Sequence, residues 1–215
     1  MATPLHEERL NTVTRHLVAS SAQSVIDLGC GRGELLARLV SVAQFRRIVG
    51  IDISMASLAA ARSLLGLGHN MDDGRLCLLQ TSFAQADDRL RGFDAALLVE
   101  TIEHIDPNRL SAVEHAVFSC YQPETVLVTT PNQEYNVLHG MRPGTFRHPD
   151  HRFEWGRAKF RGWAFGVSKR NGYSVVFGDI GEADPILGSS TQMATFRRHK
   201  NGERHNSSSA HLHTL

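Results

Sequence analysis

The sequence has little cysteine, no long apolar run and almost no excess charge of either sign. Its three cysteines are widely spaced and form no Cys-x-x-Cys pair, so they indicate neither a disulfide framework nor a thiolate zinc site: Cys30, Cys77 and Cys120. No apolar run reaches the length of a membrane span. The 23 basic and 22 acidic residues nearly cancel, which argues against a broad basic surface for long duplex nucleic acid. A nucleic-acid ligand would have to be held at one end or by a local patch.

The first residues also lack the features of a secretory signal. Residues 1–8 show no basic start followed by an apolar stretch. Together with the low cysteine content, these absences predict a soluble protein of the reducing cytoplasm, without a membrane partner. The length of 215 residues is close to that of one domain and allows one sizeable core.

Apolar periodicity predicts strands that alternate with helices. The expected strands cover residues 24–28, 47–52, 75–80, 93–99 and 125–130. The expected helices cover residues 5–18, 34–42, 56–65, 109–120 and 157–169. Such alternation indicates an α/β fold with a parallel sheet and helices on both faces. Residues 173–177 and 192–196 add two strands, interpreted as an antiparallel hairpin at the sheet edge.

The domain is predicted to cover residues 1–197. Periodicity stops around residues 131–155, where proline, glycine, asparagine, histidine and arginine accumulate. So long an irregular stretch in a compact domain is usually functional or disordered, and we interpret it as a substrate and metal insertion. The polar residues 198–215 are predicted to form a disordered tail.

A glycine-rich loop follows the first predicted strand. Asp27 lies inside the strand, and Gly29, Gly31 and Gly33 come after it. Glycines let the backbone approach a ligand, and the next helix offers free N–H groups, although tight packing alone would also explain the glycines. The spacing differs from the dinucleotide pattern, and a carboxylate inside the strand suits a cationic amino-acid portion better than a pyrophosphate. Asp52 closes the second strand, where it can accept hydrogen bonds from a ribose or serve the next helix start.

An acidic and histidine-containing run follows the fourth predicted strand. Glu100, Glu103 and His104 stand at positions i, i+3 and i+4, so they would share one side of a helix. Two carboxylates and an imidazole suit a divalent cation, although such a run met alone is often a solvated helix start. Residues 147–155 supply further imidazoles and charges in a segment that otherwise looks like a loop. The pattern predicts a metal site with a ligand from this segment.

The glycine loop and its acid resemble the class I S-adenosylmethionine-dependent methyltransferases over most of the chain. The first motif of that family is similar to residues 25–33, and its second acidic motif is similar to residues 50–52. The resemblance implies a Rossmann-like, mostly parallel seven-stranded sheet and S-adenosylmethionine as cofactor. A dinucleotide oxidoreductase is the competing interpretation. In the family the end of strand three contacts the adenine, which here falls on Ser82 and Phe83, residues that a turn and a core ring would also explain. The implied cofactor-binding residues are Asp27, Gly29, Gly31, Gly33, Asp52, Ser82 and Phe83.

Two motifs together resemble a narrower family, the small-RNA 3′-terminal 2′-O-methyltransferases (the HUA-enhancer family), in their bacterial form. These motifs are Glu-x-x-Glu-His at residues 100–104 and Asp-His-x-Phe-Glu-Trp at residues 150–155. The resemblance implies that Glu100, Glu103, His104 and His151 hold Mg²⁺ or Mn²⁺. It also implies methyl transfer to the 2′-OH of the 3′-terminal nucleotide of small or cleaved RNA, for which His148 is interpreted as the proton acceptor. The predicted catalytic residues are therefore Glu100, Glu103, His104, His148 and His151.

Partners and alternatives follow from the same patterns. Arg142, Arg147, His148 and Arg152 make up a small basic patch that is predicted to hold phosphates of the RNA 3′ end, although a solvated loop without a partner would also explain these residues. Bacterial members of the resembled family act with an RNA repair ligase or kinase complex, which makes such a complex a possible partner, and they typically carry this domain as the C-terminal half of a longer chain. Two other functions remain open: a metal-independent methyltransferase of small molecules and a non-catalytic module that binds RNA ends.

Overall fold

A seven-stranded sheet forms the centre of the computed structural model, which describes residues 3–67 and 74–199. The strands are β1 Ser24–Leu28, β2 Arg47–Asp52, β3 Leu76–Gln80, β4 Ala95–Val99, β5 Thr125–Pro131, β6 Tyr173–Asp184 and β7 Gly188–Arg198. Their order across the sheet is β3-β2-β1-β4-β5-β7-β6. The first five strands are parallel, and β7 runs antiparallel between β5 and β6. The predicted mostly parallel sheet with an antiparallel hairpin at its edge is confirmed, and both hairpin strands are longer than predicted.

Helices cover both faces of this sheet. They are α1 Pro4–Ala19, α2 Glu34–Val40, α3 Met55–Leu64, α4 Leu110–Glu114, which continues as a π-helical turn His115–Tyr121, and α5 Arg157–Asn171. Successive strand residues point to opposite faces. Val25 of β1 accordingly packs in an apolar cluster with α1, α2 and α3, whereas Ile26 packs in a second cluster with α4 and α5. The strands are therefore buried on both sides, as expected of a parallel sheet.

The predicted insertion around residues 131–155 is ordered. Pro131 still belongs to β5, a 3-10 helix runs over Gln133–His139, and an isolated bridge joins Asn132 to Trp155. The irregular composition therefore marks a structured cover at the end of β5. None of the described helices combines the length and the apolarity that a membrane crossing needs.

The predicted tail lies almost entirely outside the described residues. Arg198, its first residue, still belongs to β7, so the domain extends one residue past the predicted boundary. The predicted disorder of residues 200–215 stays a prediction. Within the predicted break at residues 66–74, positions 68–73 also lie outside the described part.

Candidate active site

The candidate site lies where the carboxyl ends of β1, β2, β4 and β5 meet, the usual ligand edge of a parallel α/β sheet. The glycine loop leaves β1 here with Gly29, Gly31 and Gly33 all at positive φ. A Cβ on Gly29 would lie 2.7 Å from Thr101 Cγ2, and one on Gly33 would lie 2.9 Å from Ala61 Cβ. A Cβ on Gly31 would meet no described atom within 4 Å. Packing therefore explains Gly29 and Gly33, whereas Gly31 borders open space that a ligand can occupy.

Asp52 joins the end of β2 to this loop. Its Oδ2 accepts a hydrogen bond of 3.0 Å from the Gly31 N–H, and its Oδ1 accepts one of 2.8 Å from the Ser54 N–H. Each carboxylate oxygen has a second acceptor site, so Asp52 can still receive ribose hydroxyls. The helix start of α3 is capped by the Ser54 hydroxyl, which accepts from Ser57 N–H.

Asp27 is the buried acid beside the loop, with a relative exposure of 3 %. Burial, and then the charge of Asp52, raises the pKa of Asp27 to about 7. A cavity of about 180 Å³ opens against this residue, and its wall includes Asp27, Gly31, Arg9 and Glu100. A cation placed in the cavity would offset the burial of the carboxylate.

Ser82 and Phe83, which follow β3, form a turn and a core contact, as the alternative to an adenine contact predicted. Ser82 Oγ accepts a hydrogen bond of 3.3 Å from Ala84 N–H, which forms a local turn. Phe83 is buried in the apolar cluster with α4 and α5, and its ring would lie 3.6 Å from a Cβ on Gly29. The position near the loop is compatible with an adenine contact, and that role stays a prediction.

The acidic run after β4 does not form the assumed helix. Glu100 directly follows β4 at a φ of +50°, and only Ile102–His104 forms a 3-10 turn. Glu100 Oε1 accepts a hydrogen bond of 3.0 Å from the Thr129 hydroxyl, and Oε2 lies 3.0 Å from Arg9 Nη2. The loop that follows β4 brings the acids together, and Glu100 is paired with a cation of the protein itself.

Glu103 is completely buried. Its Oε2 accepts a hydrogen bond of 2.9 Å from the Thr130 hydroxyl, whereas Oε1 has no hydrogen-bond partner among the described residues. Burial, and then the charge of Glu100, raises the pKa of Glu103 well above its usual range. A buried carboxylate oxygen without a partner is costly unless a cation or proton meets it.

Two histidines complete a cluster around this carboxylate. Glu103, His104 and His151 each offer a ligand atom, and these atoms lie within 4.8 Å of one another. Burial, and then the proximity of His151, lowers the pKa of His104, which favours the neutral imidazole that metals bind. Three of the four predicted ligands therefore meet, and Glu100 lies beside them in its pair with Arg9.

Glu154 supports His151 from the other side. His151 Nδ1 lies 2.6 Å from Glu154 Oε1, and the Glu154 side chain is fully buried. Burial acts to raise the pKa of Glu154, but hydrogen bonds from His151, Asn136 and the Arg147 N–H outweigh it and lower that pKa. A carboxylate behind a histidine is the usual support of a metal ligand.

His148, the predicted proton acceptor, lies at the exposed border of the cluster. Its ring centroid is 5.9 Å from that of His104 and 5.7 Å from that of His151. Its Nδ1 accepts a hydrogen bond of 3.2 Å from Asp150 N–H. The ring is close enough to serve the site, but this bond uses its Nδ1 lone pair in the conformation described.

Arg147 does not belong to the predicted basic patch. Its guanidinium donates to Asn136 Oδ1 at 2.6 Å, to Asn132 O at 2.7 Å, and to Ser190 O and Oγ at 2.9 and 3.0 Å. The prediction that it holds RNA phosphates is therefore wrong, because its donors are used inside the protein. The other members of the patch keep exposed side chains: Arg142, His148 and Arg152.

Sequence reasoning missed the supporting residues. Arg9, Thr129 and Thr130 contact the acids, and Asn136 contacts Glu154. Arg9 stands beside apolar positions of α1, so no pattern indicated a site there. Thr129 and Thr130 lie between the two motifs of the family resemblance but were given no role, and Asn136 lies inside the predicted insertion.

Known proteins with similar sequences and folds identify the family of this chain. A family model described as a methyltransferase domain matches residues 25–124. The solved methyltransferase domain of bacterial CtHen1 is 44% identical with a TM-score of 0.82, and the match covers 91% of this chain and 100% of that one. The chain belongs to the Hen1-type class I methyltransferases.

This Hen1-type domain is also similar to longer eukaryotic proteins. The small RNA 2′-O-methyltransferase of Arabidopsis thaliana is 34% identical, and the match covers 91% of this chain and 23% of that protein. The small RNA 2′-O-methyltransferase of Xenopus tropicalis is 33% identical, with 91% of this chain and 55% of that protein covered. The Hen1-type chain thus spans about a quarter to half of the length of these relatives.

Proposed function

We propose that this domain transfers the methyl group of S-adenosylmethionine to the 2′-OH of the 3′-terminal nucleotide of small or cleaved RNA, and that it requires Mg²⁺ or Mn²⁺. The observation that carries the proposal is the cluster of Glu103, His104 and His151 beside the cavity of the glycine loop. Glu100 lines that cavity and neighbours the cluster. A cofactor site and a cation site that share one wall can bring a methyl donor to a ribose hydroxyl.

The cofactor half of the site is supported by three features. Asp27 is a buried carboxylate that suits a cationic amino group, Asp52 has acceptor sites for ribose hydroxyls, and Gly31 leaves its backbone accessible. A pyrophosphate would be repelled by both acids, which disfavours a dinucleotide.

The residues of the cluster fit a divalent cation. The free Oε1 of Glu103 and the neutral state of His104 are what a cation with mixed oxygen and nitrogen ligands requires. We assign Glu103, His104 and His151 as its ligands. Glu100 is assigned as the fourth ligand, and its carboxylate would leave Arg9 to bind the cation. A cation held there would supply a lower pKa for the ribose hydroxyl and a fixed orientation of that hydroxyl toward the methyl donor. His148 is assigned as the acceptor of the hydroxyl proton, which requires that its Nδ1 first releases the hydrogen bond from the Asp150 N–H.

The test is transfer of labelled methyl from S-adenosylmethionine to a short RNA. RNAs that end in a free 2′,3′-diol, a 2′-deoxy, a 3′-deoxy or a 3′-phosphate nucleotide are compared in Mn²⁺, Mg²⁺ and EDTA. We expect labelling of the diol end alone, lost in EDTA. Glu103→Ala and His151→Ala are expected to abolish transfer while cofactor binding persists, and His115→Ala, in the π-helical turn, serves as the matched control with full activity.

Other outcomes would redirect the assignment. Transfer to RNA that persists in EDTA and in His151→Ala would contradict the metal requirement. Cofactor binding without transfer to any RNA under any metal would favour either the metal-independent small-molecule methyltransferase or the non-catalytic module, and of these two only the module predicts RNA binding. A cytoplasmic location and an RNA repair ligase or kinase complex as partner remain part of the proposal, because they rest on the family resemblance.

A further inference from the structure

One of the two ring nitrogens of His151 is engaged by a carboxylate inside the protein. Its Nδ1 is engaged with Glu154 Oε1 at 2.6 Å, and its side chain is 7 % exposed. A neutral imidazole that donates from Nδ1 keeps its lone pair on Nε2. Whatever fixes the Nδ1 contact therefore also decides which nitrogen is available to a cation.

Glu154 is built to accept and not to donate. Its Oε1 accepts from the Arg147 N–H at 2.6 Å, in addition to the His151 contact, and its Oε2 accepts from Asn136 Nδ2 at 2.6 Å. Three donors converge on one fully buried side chain. An ionised carboxylate satisfies all three, whereas a protonated acid or an amide would place a donor against a donor.

The carboxylate is itself held by a rigid frame. Asn136 accepts from Arg147 through Oδ1, and the Arg147 guanidinium continues to Asn132 O and to Ser190 of β7. The frame thus links the 3-10 helix, the end of β5 and the edge hairpin to a single histidine nitrogen. Apolar side chains would be enough to pack this part of the interior, so the charged and amide groups indicate a positioning role.

We propose that Glu154 is a positioning residue that holds His151 in the Nδ1–H tautomer and presents Nε2 to the cation, with Asn136 and Arg147 fixing Glu154. This inference rests on the proposed metal-dependent function. It assigns a role to a residue that touches neither the RNA nor the cation. Loss of such supporting carboxylates typically weakens metal affinity by about 10–100-fold.

The first test measures the tautomer directly in the metal-free wild-type protein. Nitrogen-15 imidazole spectra, with the His151 signal identified by its absence in His151→Asn, are expected to show a proton on Nδ1. A proton on Nε2 would overturn the proposal. This measurement does not depend on the folding of any Glu154 variant.

The second test measures Mn²⁺ affinity by calorimetry in Glu154→Gln, Glu154→Asp and the wild type. We expect Glu154→Gln to bind Mn²⁺ about 10–100-fold more weakly, Glu154→Asp to recover part of the loss, and S-adenosylmethionine affinity to stay unchanged. Glu134→Gln is the matched control, because Glu134 is also held by an arginine, Arg157, but contacts no cluster residue among those described. Equal Mn²⁺ affinity in Glu154→Gln and the wild type would overturn the role of Glu154, whereas absence of Mn²⁺ binding in the wild type would overturn the metal proposal itself.

Discussion

Asp27 and Asp94 carry the same side chain in opposite surroundings. Asp27 is deeply buried at the carboxyl edge of the sheet, and burial followed by the charge of Asp52 raises its pKa to about 7. Burial also acts on Asp94, but hydrogen bonds from the Gln23 and Ser24 N–H groups and the Ser24 hydroxyl outweigh it and lower the pKa. Asp94 is therefore satisfied by hydrogen bonds within the fold, whereas Asp27 is a buried acid whose charge a bound cation would offset.

The two acids predict opposite effects on stability. Because the folded pKa of Asp27 exceeds its unfolded value, its contribution to stability is present below about pH 4 and is lost as the pH rises to about 7. We expect Asp27→Asn to remove this loss and to stabilise the cofactor-free protein at pH 8, by at most on the order of 4 kcal/mol for about three pKa units. Urea unfolding at pH 5 and pH 8 without S-adenosylmethionine measures the effect.

Asp94→Asn is the control with the opposite sign. In the wild type, the depressed pKa of Asp94 contributes stability above the unfolded pKa, and this stability is lost as the pH falls. This substitution should therefore lower the free energy of unfolding at pH 8 and have less effect in acid. An unchanged pH dependence in Asp27→Asn would contradict the burial of a protonatable Asp27.

At the scale of elements, the loop between β1 and α2 combines two uses of glycine. Gly33 immediately precedes α2 as its N-cap in a left-handed conformation, and its missing Cβ leaves room for Ala61 of α3. Gly31 is also left-handed, but the space beside it is open. Gly33 thus allows α2 and α3 to pack, and Gly31 leaves space for a ligand to approach the backbone.

Alanine substitutions separate these uses. Gly31→Ala should cost about 1–2 kcal/mol for the left-handed backbone and weaken S-adenosylmethionine binding at least about tenfold by blocking the approach. Gly33→Ala should cost more stability, about 2–4 kcal/mol, because overpacking adds to the backbone cost. Urea unfolding and calorimetric titration with the cofactor measure the two quantities.

Gly66→Ala is the matched control for that pair. Gly66 has a φ of +68° and no described atom within 4 Å of its Cβ position, but it lies after α3 and outside the loop. It should show the stability loss of Gly31→Ala with unchanged cofactor affinity. Equal cofactor affinity in Gly31→Ala and Gly66→Ala would show that no ligand approaches the loop at Gly31.

At the scale of the whole molecule, the balance of charges predicts that the proposed RNA binding uses a local surface. The formal net charge is +1, so there is no large positive field to attract a long nucleic acid. Arg142 and Arg152 are both exposed, and the backbone N–H of Arg152 donates to Glu103 O at 2.7 Å, which places Arg152 beside the cluster. Removal of Arg147 from the predicted patch makes the expected number of phosphate contacts small.

Arginine variants test whether the exposed arginines bind RNA while Arg147 stabilises the fold. The double variant Arg142→Ala with Arg152→Ala should raise the KM for RNA several-fold and reduce the salt dependence of RNA binding by a slope of about 1–2. Its stability should change by less than about 0.5 kcal/mol. Methyl-transfer kinetics at two salt concentrations and thermal unfolding provide the measurements.

Arg147→Ala provides the opposite pattern. It removes a guanidinium with four internal acceptor contacts, so we expect a loss of about 3 kcal/mol in stability. An Arg147→Ala protein of normal stability with selectively weaker RNA binding would restore the original prediction that Arg147 holds phosphates.

The sequence by itself determined the sheet, the order of its elements and the loop that follows β1. Apolar runs and helical spacing are local properties, and glycines mark positive φ wherever the chain turns sharply. The motifs also indicated Glu103, His104 and His151, because the residue types of a cation site are visible in the chain even when their geometry is not.

Only the tertiary structure decided how these groups are used. The pairing of Glu100 with Arg9 joins residues 91 positions apart in sequence, and no local pattern encodes it. The interior position of Arg147 follows from acceptors supplied by the 3-10 helix and by β7. The use of a charged side chain depends on how deeply it is buried and on which partners surround it, and both are properties of the packed chain.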